Sequence, residues 1–429
     1  MNTLPSNTPT RLILALAAWG VMGLAGLQAA DWPQWRGPQR NAVSSETGLL
    51  KQWPNEGPKL LWQASDLGMG YSTPSVVGER LYVQGNEGLD DEFVQARAVA
   101  DGRLLWRTRL GKVGNPNQKP NFPAARSTPT VDGTRLYALG SDGDLACLDA
   151  ATGKVLWQKN LRADFGGKPG DWAYAESPLV DRQTVLVTPG GAEAALLALN
   201  KNSGEPLWKT ALSAAETAAY TSPMVVEADG TRQYVQMLEK GLAGVDAKTG
   251  QVLWRYDRTV SRYRANVPSP VVRGETIFSA GAGTGAGLIR LKRDAGNWQV
   301  EQAYFSPKLP TAIGGAVLVG DLLYGTTAQG LLAVDWATGK VVWDHAALGA
   351  ASLLWADDRL YLHGENGAVA LADAGLDGYR EQGRFTPPNP PARRDAMEKS
   401  WTYPVVANGR LYLRDHQMLW CYDVRAGAR

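Results

Sequence analysis

Short runs of alternating apolar and polar residues follow one another along most of the chain, and each run ends at a turn rich in Gly or Asp. The clearest unit runs from residues 127–129 (Ser-Thr-Pro) to residues 155–157 (Val-Leu-Trp), with two further apolar runs around Tyr137 and Leu148. Alternation with a period of two is typical of strands with one buried face. The unit therefore predicts four short antiparallel strands joined by tight turns.

The same unit recurs with a tryptophan near the end of its fourth strand. Seven of these tryptophans are spaced 44 to 51 residues apart: Trp62, Trp106, Trp157, Trp208, Trp254, Trp298 and Trp343. A large ring at one fixed place in each repeat is suited to fill the wedge between neighbouring sheets. We therefore interpret the seven as structural blade plugs rather than as binding aromatics.

The turn before the fourth strand has its own signature, Asp-x-x-Thr-Gly, at residues 149–153, 246–250 and 335–339. Asp accepts hydrogen bonds from backbone N–H groups two or three residues ahead, and Gly adopts a positive φ without strain. The signature indicates a repeated, structurally specified turn.

Eight units can be counted from their openings near Ser72, Ser127, Ser177, Ser222, Ser269, Gly315, Ser352 and Thr402. The last unit stops after three strands, whereas residues 59–62 (Lys-Leu-Leu-Trp) form an isolated fourth strand near the other end of the chain. Pairing of these two ends would remove a free sheet edge. We therefore predict an all-β, eight-bladed β-propeller of four-stranded antiparallel blades, closed by N-terminal strand pairing with the last blade. A linear β-solenoid is the alternative, but it requires no such split sheet.

The first thirty residues have the pattern of an export signal. An apolar run over residues 12–27 follows Arg11 and ends before residues 28–30 (Gln-Ala-Ala), and sixteen apolar residues are short for a membrane span. We predict a signal peptide at residues 1–30 and one propeller domain at residues 31–429, periplasmic or secreted. The mature chain is expected to be a monomer without a transmembrane segment. An uncleaved N-terminal anchor is the alternative.

The amino-acid composition argues against several classes of partner and site. The 44 Lys and Arg residues nearly balance the 42 Asp and Glu residues, which argues against a nucleic-acid partner. Three histidines and two cysteines are too few for a metal centre or a disulfide framework. Cys147 and Cys421 fall in third strands of blades a quarter turn apart, too far to bridge. We predict two separate, buried thiols.

Residues 148–157 have the pattern Leu-Asp-Ala-x-Thr-Gly-Lys-Val-Leu-Trp, which resembles the pyrroloquinoline-quinone-like (PQQ-like) propeller repeat. That repeat occurs in quinoprotein alcohol dehydrogenases and in the propeller lipoprotein of the outer-membrane barrel-assembly machinery. Residues 31–38 (Asp-Trp-Pro-Gln-Trp-Arg-Gly-Pro) resemble the opening of exported PQQ-binding-like propeller proteins. The resemblance implies the propeller fold and leaves the activity open, since function depends on sites rather than on the scaffold.

One face of the predicted ring is favoured for function. The first and third turns of the blades are short, whereas several blade-to-blade connections (residues 111–126, 161–176, 257–267 and 386–400) are long and varied, and so are the second turns at residues 85–93 and 281–287. Long loops on one side of a rigid scaffold are where binding usually occurs. The candidates for a ligand or partner rim, each just before an inner strand, are Tyr71, Arg126, Glu176, Tyr220, Arg264, Asn266, Lys399 and Trp401. A rim that merely holds water is the alternative.

The resemblance also implies what a dehydrogenase site would need: the quinone over the channel, a calcium ion, a catalytic Asp, a stacking Trp and a disulfide of adjacent cysteines. Glu176 and Asn266 are weak candidates for calcium ligands, and Trp172 or Trp401 for the stacking ring. No Asp occurs in residues 311–314, where the catalytic one is expected, and the adjacent cysteine pair is absent.

We therefore assign no catalytic residue and no cofactor from the sequence. The leading hypothesis is an exported, non-catalytic propeller that binds or scaffolds an envelope or secreted protein, or a small extracytoplasmic ligand, at its long-loop face. A role in cell-envelope assembly fits the resemblance. The alternative is a dehydrogenase of alcohols or sugars that depends on pyrroloquinoline quinone and calcium.

Overall fold

The computed structural model describes Met1 and residues 30–118, 123–212, 215–373, 375–393 and 396–427. The predicted signal peptide lies outside these residues except for Met1 and Ala30. The described residues form 33 strands grouped into eight sheets. The predicted eight-bladed β-propeller is confirmed.

Two strands precede the first complete blade: β1 (Val43–Ser44) and β2 (Lys59–Ala64). Blade 1 consists of β3 (Ser75–Val77), β4 (Arg80–Glu87), β5 (Asp91–Ala98) and β6 (Leu104–Gly111), and blade 2 of β7 (Thr130–Asp132), β8 (Arg135–Leu139), β9 (Asp144–Asp149) and β10 (Val155–Asn160). Blade 3 consists of β11 (Leu179–Asp181), β12 (Thr184–Val187), β13 (Leu196–Asn200) and β14 (Pro206–Thr210), and blade 4 of β15 (Met224–Ala228), β16 (Thr231–Leu238), β17 (Gly241–Asp246) and β18 (Val252–Tyr256).

Blade 5 consists of β19 (Val271–Arg273), β20 (Thr276–Gly281), β21 (Gly285–Asp294) and β22 (Asn297–Ser306), and blade 6 of β23 (Ala316–Val319), β24 (Leu322–Thr326), β25 (Leu331–Asp335) and β26 (Val341–His345). Blade 7 consists of β27 (Ala351–Ala356), β28 (Arg359–Gly364), β29 (Val369–Asp373) and β30 (Arg380–Phe385), and blade 8 contains β31 (Val405–Ala407), β32 (Arg410–Asp415) and β33 (Met418–Asp423). In blades 1 to 6 the strands follow one another in chain order across the sheet, whereas β1 adds a fifth strand beside β27 in blade 7.

Strand β2 completes blade 8 as its outer strand. It pairs antiparallel with β33, with Trp62 opposite Cys421, so the two ends of the chain share one sheet as the sequence predicts. The seam beside this sheet is further held by Arg414, which is fully buried and donates hydrogen bonds to the carbonyl oxygens of Ser72 and Gln84 in blade 1. Closure therefore depends on contacts more than 300 residues apart in sequence.

The repeated turn has the expected chemistry. In blade 2 the Asp149 carboxylate accepts hydrogen bonds from the backbone N–H and the hydroxyl of Thr152, at 2.9 and 2.7 Å. Asp246 with Thr249 and Asp335 with Thr338 make the same pair of contacts. The turns thus hold the glycine that follows in a fixed place.

That glycine is the contact point for the plug of the preceding blade. Trp157 donates from Nε1 to the carbonyl oxygen of Lys201 at 3.1 Å, and its ring lies over Gly204, where an added Cβ would sit 2.7 Å from the ring. Gly204 has a φ of +72°. The same arrangement joins Trp62 to Gly102, Trp106 to Gly153 and Trp208 to Gly250.

Trp254 and Trp343 also pack between blades but have different partners. Trp254 donates to the side-chain oxygen of Gln233 at 2.7 Å and belongs to a buried cluster that includes Ile277 of blade 5. Trp343 donates to the carbonyl oxygen of Gly375 at 2.8 Å. Both therefore lie in buried or partly buried positions within inter-blade clusters.

Trp298 packs against the buried cluster shared by blades 4 and 5, but it does not stand at the register of the other plugs. The hairpin of β21 and β22 is extended, so Trp298 lies near its tip, opposite Arg293. The plug position of blade 5 is occupied by Tyr304, whose ring lies where a Cβ on Gly339 would be, 2.5 Å away. Tyr304 stands opposite Leu288 at the same register irregularity that Trp157 occupies in blade 2.

Blade 7 has no aromatic residue at this position. Gly383 stands there, and a Cβ on it would lie 2.6 Å from the Cβ of Trp53. Trp53 is buried, donates its backbone N–H to Gln382, and packs edge-on against Tyr361 and Phe385. The wedge between blades 7 and 8 is therefore filled from the N-terminal segment.

Two smaller predictions differ in outcome. The second turns of blades 1 and 5, expected to be long loops, are short turns between extended strands β4 and β5 and between β20 and β21. Cys147 and Cys421 are buried and unpaired, as predicted.

Candidate ligand pocket in the central channel

The segment 31–46 crosses the central channel at the face of the short first turns. Trp32 forms two backbone hydrogen bonds with Val76 of blade 1, and the carbonyl of Pro33 accepts from Val131 of blade 2. Strand β1 pairs in parallel with β27 of blade 7. Because the segment bonds to inner strands around the ring, it closes one end of the channel.

Two arginines anchor this segment inside the channel. Arg40 donates to the carbonyl oxygens of Ser177 and Pro178 in blade 3, and Arg36 donates to the carbonyl oxygen of Ala316 in blade 6. Their guanidinium carbons each lie 5.3 Å from the Trp35 ring centroid. Burial lowers the pKa of Arg40 to about 9, so the group stays protonated at neutral pH.

Above this floor lies a pocket of about 530 Å³ that opens toward the long-loop face. Its aromatic lining comes from Trp35, Tyr71, Trp172, Tyr220, Tyr263, Trp401 and Tyr403. A volume in this range and a mainly apolar lining with few polar groups are usual for small-molecule sites. The segment 31–46 thus turns a through-channel into a pocket with one opening.

A band of hydroxyl groups runs around the pocket at the Ser/Thr-Pro openings of successive blades. The members that line it are Thr73, Thr128, Ser177, Ser222 and Ser269. Three backbone N–H groups of this band donate to the hydroxyl oxygen of the next blade: Thr128 to Ser177, Ser177 to Ser222, and Ser222 to Ser269, all at 2.9 Å. The band therefore ties neighbouring blades together at the channel wall.

Arg126 is the one charged side chain among the described residues that line the pocket. Its guanidinium carbon lies 4.9 Å from the Tyr71 ring centroid, and burial raises the pKa of Tyr71 to about 12. The phenol is therefore neutral and the guanidinium supplies the charge of the wall.

The structure brings four of the predicted rim residues together: Tyr71, Arg126, Tyr220 and Trp401 line the pocket. Tyr71 and Trp401 lie with ring centroids 5.2 Å apart, and the indole N–H of Trp401 donates to Glu365 at 3.2 Å. Trp172 lines the pocket too, edge-on to Tyr220.

The other four predicted rim residues lie outside this lining. Lys399 pairs with Glu365 at 2.7 Å, and the exposed Arg264 lies 3.6 Å from Glu239. Both lie on the long-loop face.

Glu176 and Asn266 are buried in the seams between blades. Both carboxylate oxygens of Glu176 accept hydrogen bonds, from the N–H and hydroxyl of Thr188 and from the amide of Gln236. The side-chain oxygen of Asn266 accepts from the N–H of Ser261 at 2.7 Å. Calcium requires several oxygen ligands facing one point, and these oxygens are committed to other groups. The weak calcium candidates therefore do not fit a calcium site at the pocket.

Burial raises the pKa of Glu176 to about 7, with the hydrogen bonds from Thr188 opposing the shift. The described residues contain no cluster of three or more His, Cys, Asp or Glu side chains suited to hold a metal ion. They also contain no helix that is long and apolar enough to cross a membrane.

Sequence reasoning missed the floor of the pocket and the hydroxyl band. The floor was missed because residues 31–46 carry no repeat signature. The band had a visible signal, since its hydroxyls come from the Ser/Thr-Pro openings that mark the blades, but that signal was assigned only to strand starts.

A model of the protein family described as outer membrane protein assembly factor BamB matches residues 90–345, which is more than half of the chain. The chain belongs to this family. The BamB protein of Burkholderia pseudomallei is 23% identical over 291 residues, which cover 65% of this chain and 68% of that protein. Matches to the BamB proteins of Moranella endobia and Salmonella typhimurium are 29% identical and span 29% and 30% of those proteins.

Solved structures give the same fold. BamB from Moraxella catarrhalis superposes with a TM-score of 0.57 at 15% identity, covering 82% of this chain and 95% of that one. The quinohemoprotein alcohol dehydrogenase from Comamonas testosteroni superposes with a TM-score of 0.61 at 13% identity, covering 93% and 81%. Both likenesses concern architecture, and the resemblance to PQQ-like propellers seen in the repeats is confirmed.

Proposed function

We propose that this protein is an exported, non-catalytic propeller that holds another envelope protein at its long-loop face during outer-membrane assembly. Its membership of the BamB family is the observation that carries this proposal. The predicted signal peptide and the monomeric state are part of the same proposal.

The geometry of the long-loop face supports such a role. Ion pairs fasten several of its loops to the blades: Arg393 to Asp415, Lys399 to Glu365, and Arg162 to Asp142. Loops held in one conformation lose less entropy when a partner binds. The described parts of these loops that carry the ion pairs are therefore suited to dock a protein at a reduced entropic cost.

Two large apolar side chains stand exposed at the pocket mouth on this face. Tyr263 is 68% exposed and Met397 is 48% exposed. Aromatic residues and Met are enriched in the cores of protein interfaces, and central aromatic anchors often dominate binding energy. Tyr263 and Met397 are the anchors that we expect a partner to cover.

A photo-crosslinking residue in place of Tyr263 or Met397 tests the proposal in intact cells. We expect it to capture a protein of outer-membrane assembly, and we expect the same residue at Lys248, in a short turn of the opposite face, to capture none. The double variant Tyr263→Ala/Met397→Ala should lose co-purification of that protein while keeping its melting temperature. Equal capture from both faces, or capture of unrelated proteins only, would refute the proposal.

The dehydrogenase alternative rests on likeness of fold. Against it stand the hydrogen bonds that the side-chain oxygens of Glu176 and Asn266 already accept, and the absence of the expected catalytic Asp from residues 311–314. Titration of the purified protein with pyrroloquinoline quinone and calcium tests it directly. Saturable binding together with alcohol-dependent dye reduction would favour the dehydrogenase over the scaffold.

A further inference from the structure

The carboxylate of Glu46 is buried beside the first turn of blade 8 without a cation. The residue is 1% exposed, and its two oxygens accept backbone N–H groups from Gly409 at 2.8 Å and from Ala30 at 3.1 Å. Among the described residues, no cationic side chain forms an ion pair with it, and burial raises its pKa above the ordinary value. An ionised carboxylate in such a place costs free energy unless a positive charge is supplied.

The backbone nitrogen of Ala30 is held beside Glu46 by the two residues that follow it. Asp31 accepts from the N–H of Gly78 through Oδ1 at 2.8 Å. Trp32 is buried and forms backbone hydrogen bonds of 2.7 and 2.8 Å with Val76 of blade 1. The place of the Ala30 nitrogen therefore follows from contacts with blade 1 and does not depend on the residues before it.

Glu46 is held from the other side of the same seam. Its N–H donates to the hydroxyl oxygen of Ser44, and that hydroxyl donates to the carbonyl oxygen of Val406 in blade 8, both at 3.3 Å. The contact between Ala30 and Glu46 thus joins a segment fixed to blade 1 with a segment fixed to blade 8. These are the two blades between which the ring closes.

The predicted export signal ends in two adjacent small residues, Ala29 and Ala30. A signal peptidase requires a small residue just before the bond that it cuts, so the sequence permits a cut before or after Ala30. A cut before Ala30 turns the nitrogen that lies 3.1 Å from Glu46 into an ammonium group. A cut after Ala30 removes that nitrogen from the protein. The two cuts therefore differ in whether Glu46 gains a cation.

We propose that a signal peptidase cuts between Ala29 and Ala30, one residue before the boundary predicted from the sequence, and that the new α-ammonium group pairs with Glu46 and locks segment 31–46 across the seam. The cut is a hydrolysis. Water adds across the peptide bond, Ala29 leaves as a carboxylate, and the proton released by the new carboxyl group is taken up by the amine of Ala30. The proposal rests on the export step of the proposed function and not on its partner.

The mass of the intact protein, recovered from the envelope of a cell that exports it, tests the position of the cut. We expect a chain that begins at Ala30. A chain that begins at Asp31 or later would overturn the proposal, and a chain that keeps residues 1–29 would contradict the export step as well. If crosslinking at the long-loop face fails while the chain begins at Ala30, only the proposed partner is refuted.

Three chains that begin at Gln28, Ala30 and Asp31 test the ion pair without any substitution. Each is released from a fusion protein by a protease that leaves the desired first residue. We expect the chain from Ala30 to melt at the highest temperature, about 3–6 °C above the chain from Gln28, because it alone places an ammonium group at the nitrogen beside Glu46. A melting temperature that does not depend on the first residue would overturn the proposal.

Variants separate the charge from crowding by the two extra residues. In Glu46→Gln, extension from Ala30 back to Gln28 should lower the melting temperature by less than about 1 °C. Glu79→Gln is the matched control, because Glu79 is exposed in the turn that Asp31 contacts, and it should keep the full loss. A full loss that persists in Glu46→Gln would overturn the ion pair.

A further chemical change covers the case in which Glu46→Gln does not fold. Enzymatic acetylation of the amine of Ala30 removes its charge and leaves every side chain in place. We expect it to lower the melting temperature as much as the extension to Gln28 does, because the buried carboxylate again lacks a cation. A melting temperature that acetylation leaves unchanged would overturn the proposal.

Discussion

At the scale of single residues, the propeller depends on pairing its largest side chains with its smallest. The ring of Trp157 covers the backbone of Gly204 so closely that the glycine has no room for a Cβ, and the turn that presents Gly204 requires a positive φ. Both demands fall on one residue. The sequence signature of the turn is therefore also the docking site for the tryptophan of the previous blade.

Because Gly204 must both adopt a positive φ and leave room for the Trp157 ring, a single added methyl group at this position should destabilise the fold. Gly204→Ala should destabilise the fold by about 2–4 kcal/mol, from backbone strain plus the overlap with Trp157. Gly133→Ala is a matched control, because Gly133 also has a positive φ, +60°, but has no atom within 4 Å of the added Cβ. It should cost about 1 kcal/mol. Urea unfolding measures both, and equal losses would refute the role of the ring overlap.

At the scale of elements, the sequence predicted the number of blades, the turn type and the ring closure, because each is encoded within one repeat or by the missing strand at a chain end. The sequence-based prediction of the plug residue failed in blade 5, where the outer hairpin is lengthened. The longer hairpin of β21 and β22 moved the plug of blade 5 from Trp298 to Tyr304, while the tryptophan spacing still looked regular. Spacing along the chain does not report the register of a strand, and Trp53 at blade 7 lies in no repeat at all.

The corrected plug can be tested by substitution. Tyr304→Ala should cost about 3–5 kcal/mol, in the range of Trp157→Ala, because each leaves a cavity between two blades. Trp298→Ala, near the hairpin tip, should cost less than about 2 kcal/mol. Chemical denaturation of the three variants gives the comparison. A larger loss for Trp298→Ala than for Tyr304→Ala would restore the interpretation drawn from the spacing.

At the scale of the whole molecule, the blades are joined by buried polar groups as well as by aromatic wedges. Glu92 of blade 1 is fully buried and accepts hydrogen bonds from the N–H and hydroxyl of Ser141 in blade 2. Glu176 makes the corresponding link from blade 3 to Gln236 of blade 4. Such links could not be foreseen from the sequence: Glu176 was expected at the rim because its position in the repeat was visible and the direction of its side chain was not.

These carboxyl groups predict how stability depends on pH. Burial raises the pKa of Glu92 to about 7, so the folded state holds this proton to a higher pH than the unfolded state does. Its contribution to stability is therefore fully present below about pH 4.5 and is lost as the pH rises through about 7.

The variant Glu92→Gln stays neutral and should escape this loss. We expect it to exceed the unmodified protein in stability by about 1–3 kcal/mol at pH 8 and by much less at pH 5. Melting curves between these two values measure the gap. The surface variant Glu205→Gln, which removes an exposed charge paired with Lys159, should show no gap that grows with pH. A gap for Glu92→Gln that shrinks as the pH rises would contradict the assignment.

The position of segment 31–46 has a consequence for the order of events during folding. This segment is made early, yet its hydrogen-bonding partners include Val406 and Gly409 at the far end of the chain. It can take its final position only after the last blade has formed, so a segment synthesised before any of the blades is fixed in place after them. Until then the central channel is open at both ends. Because the contacts of this segment join residues so distant in sequence, forming them slows the final step of folding.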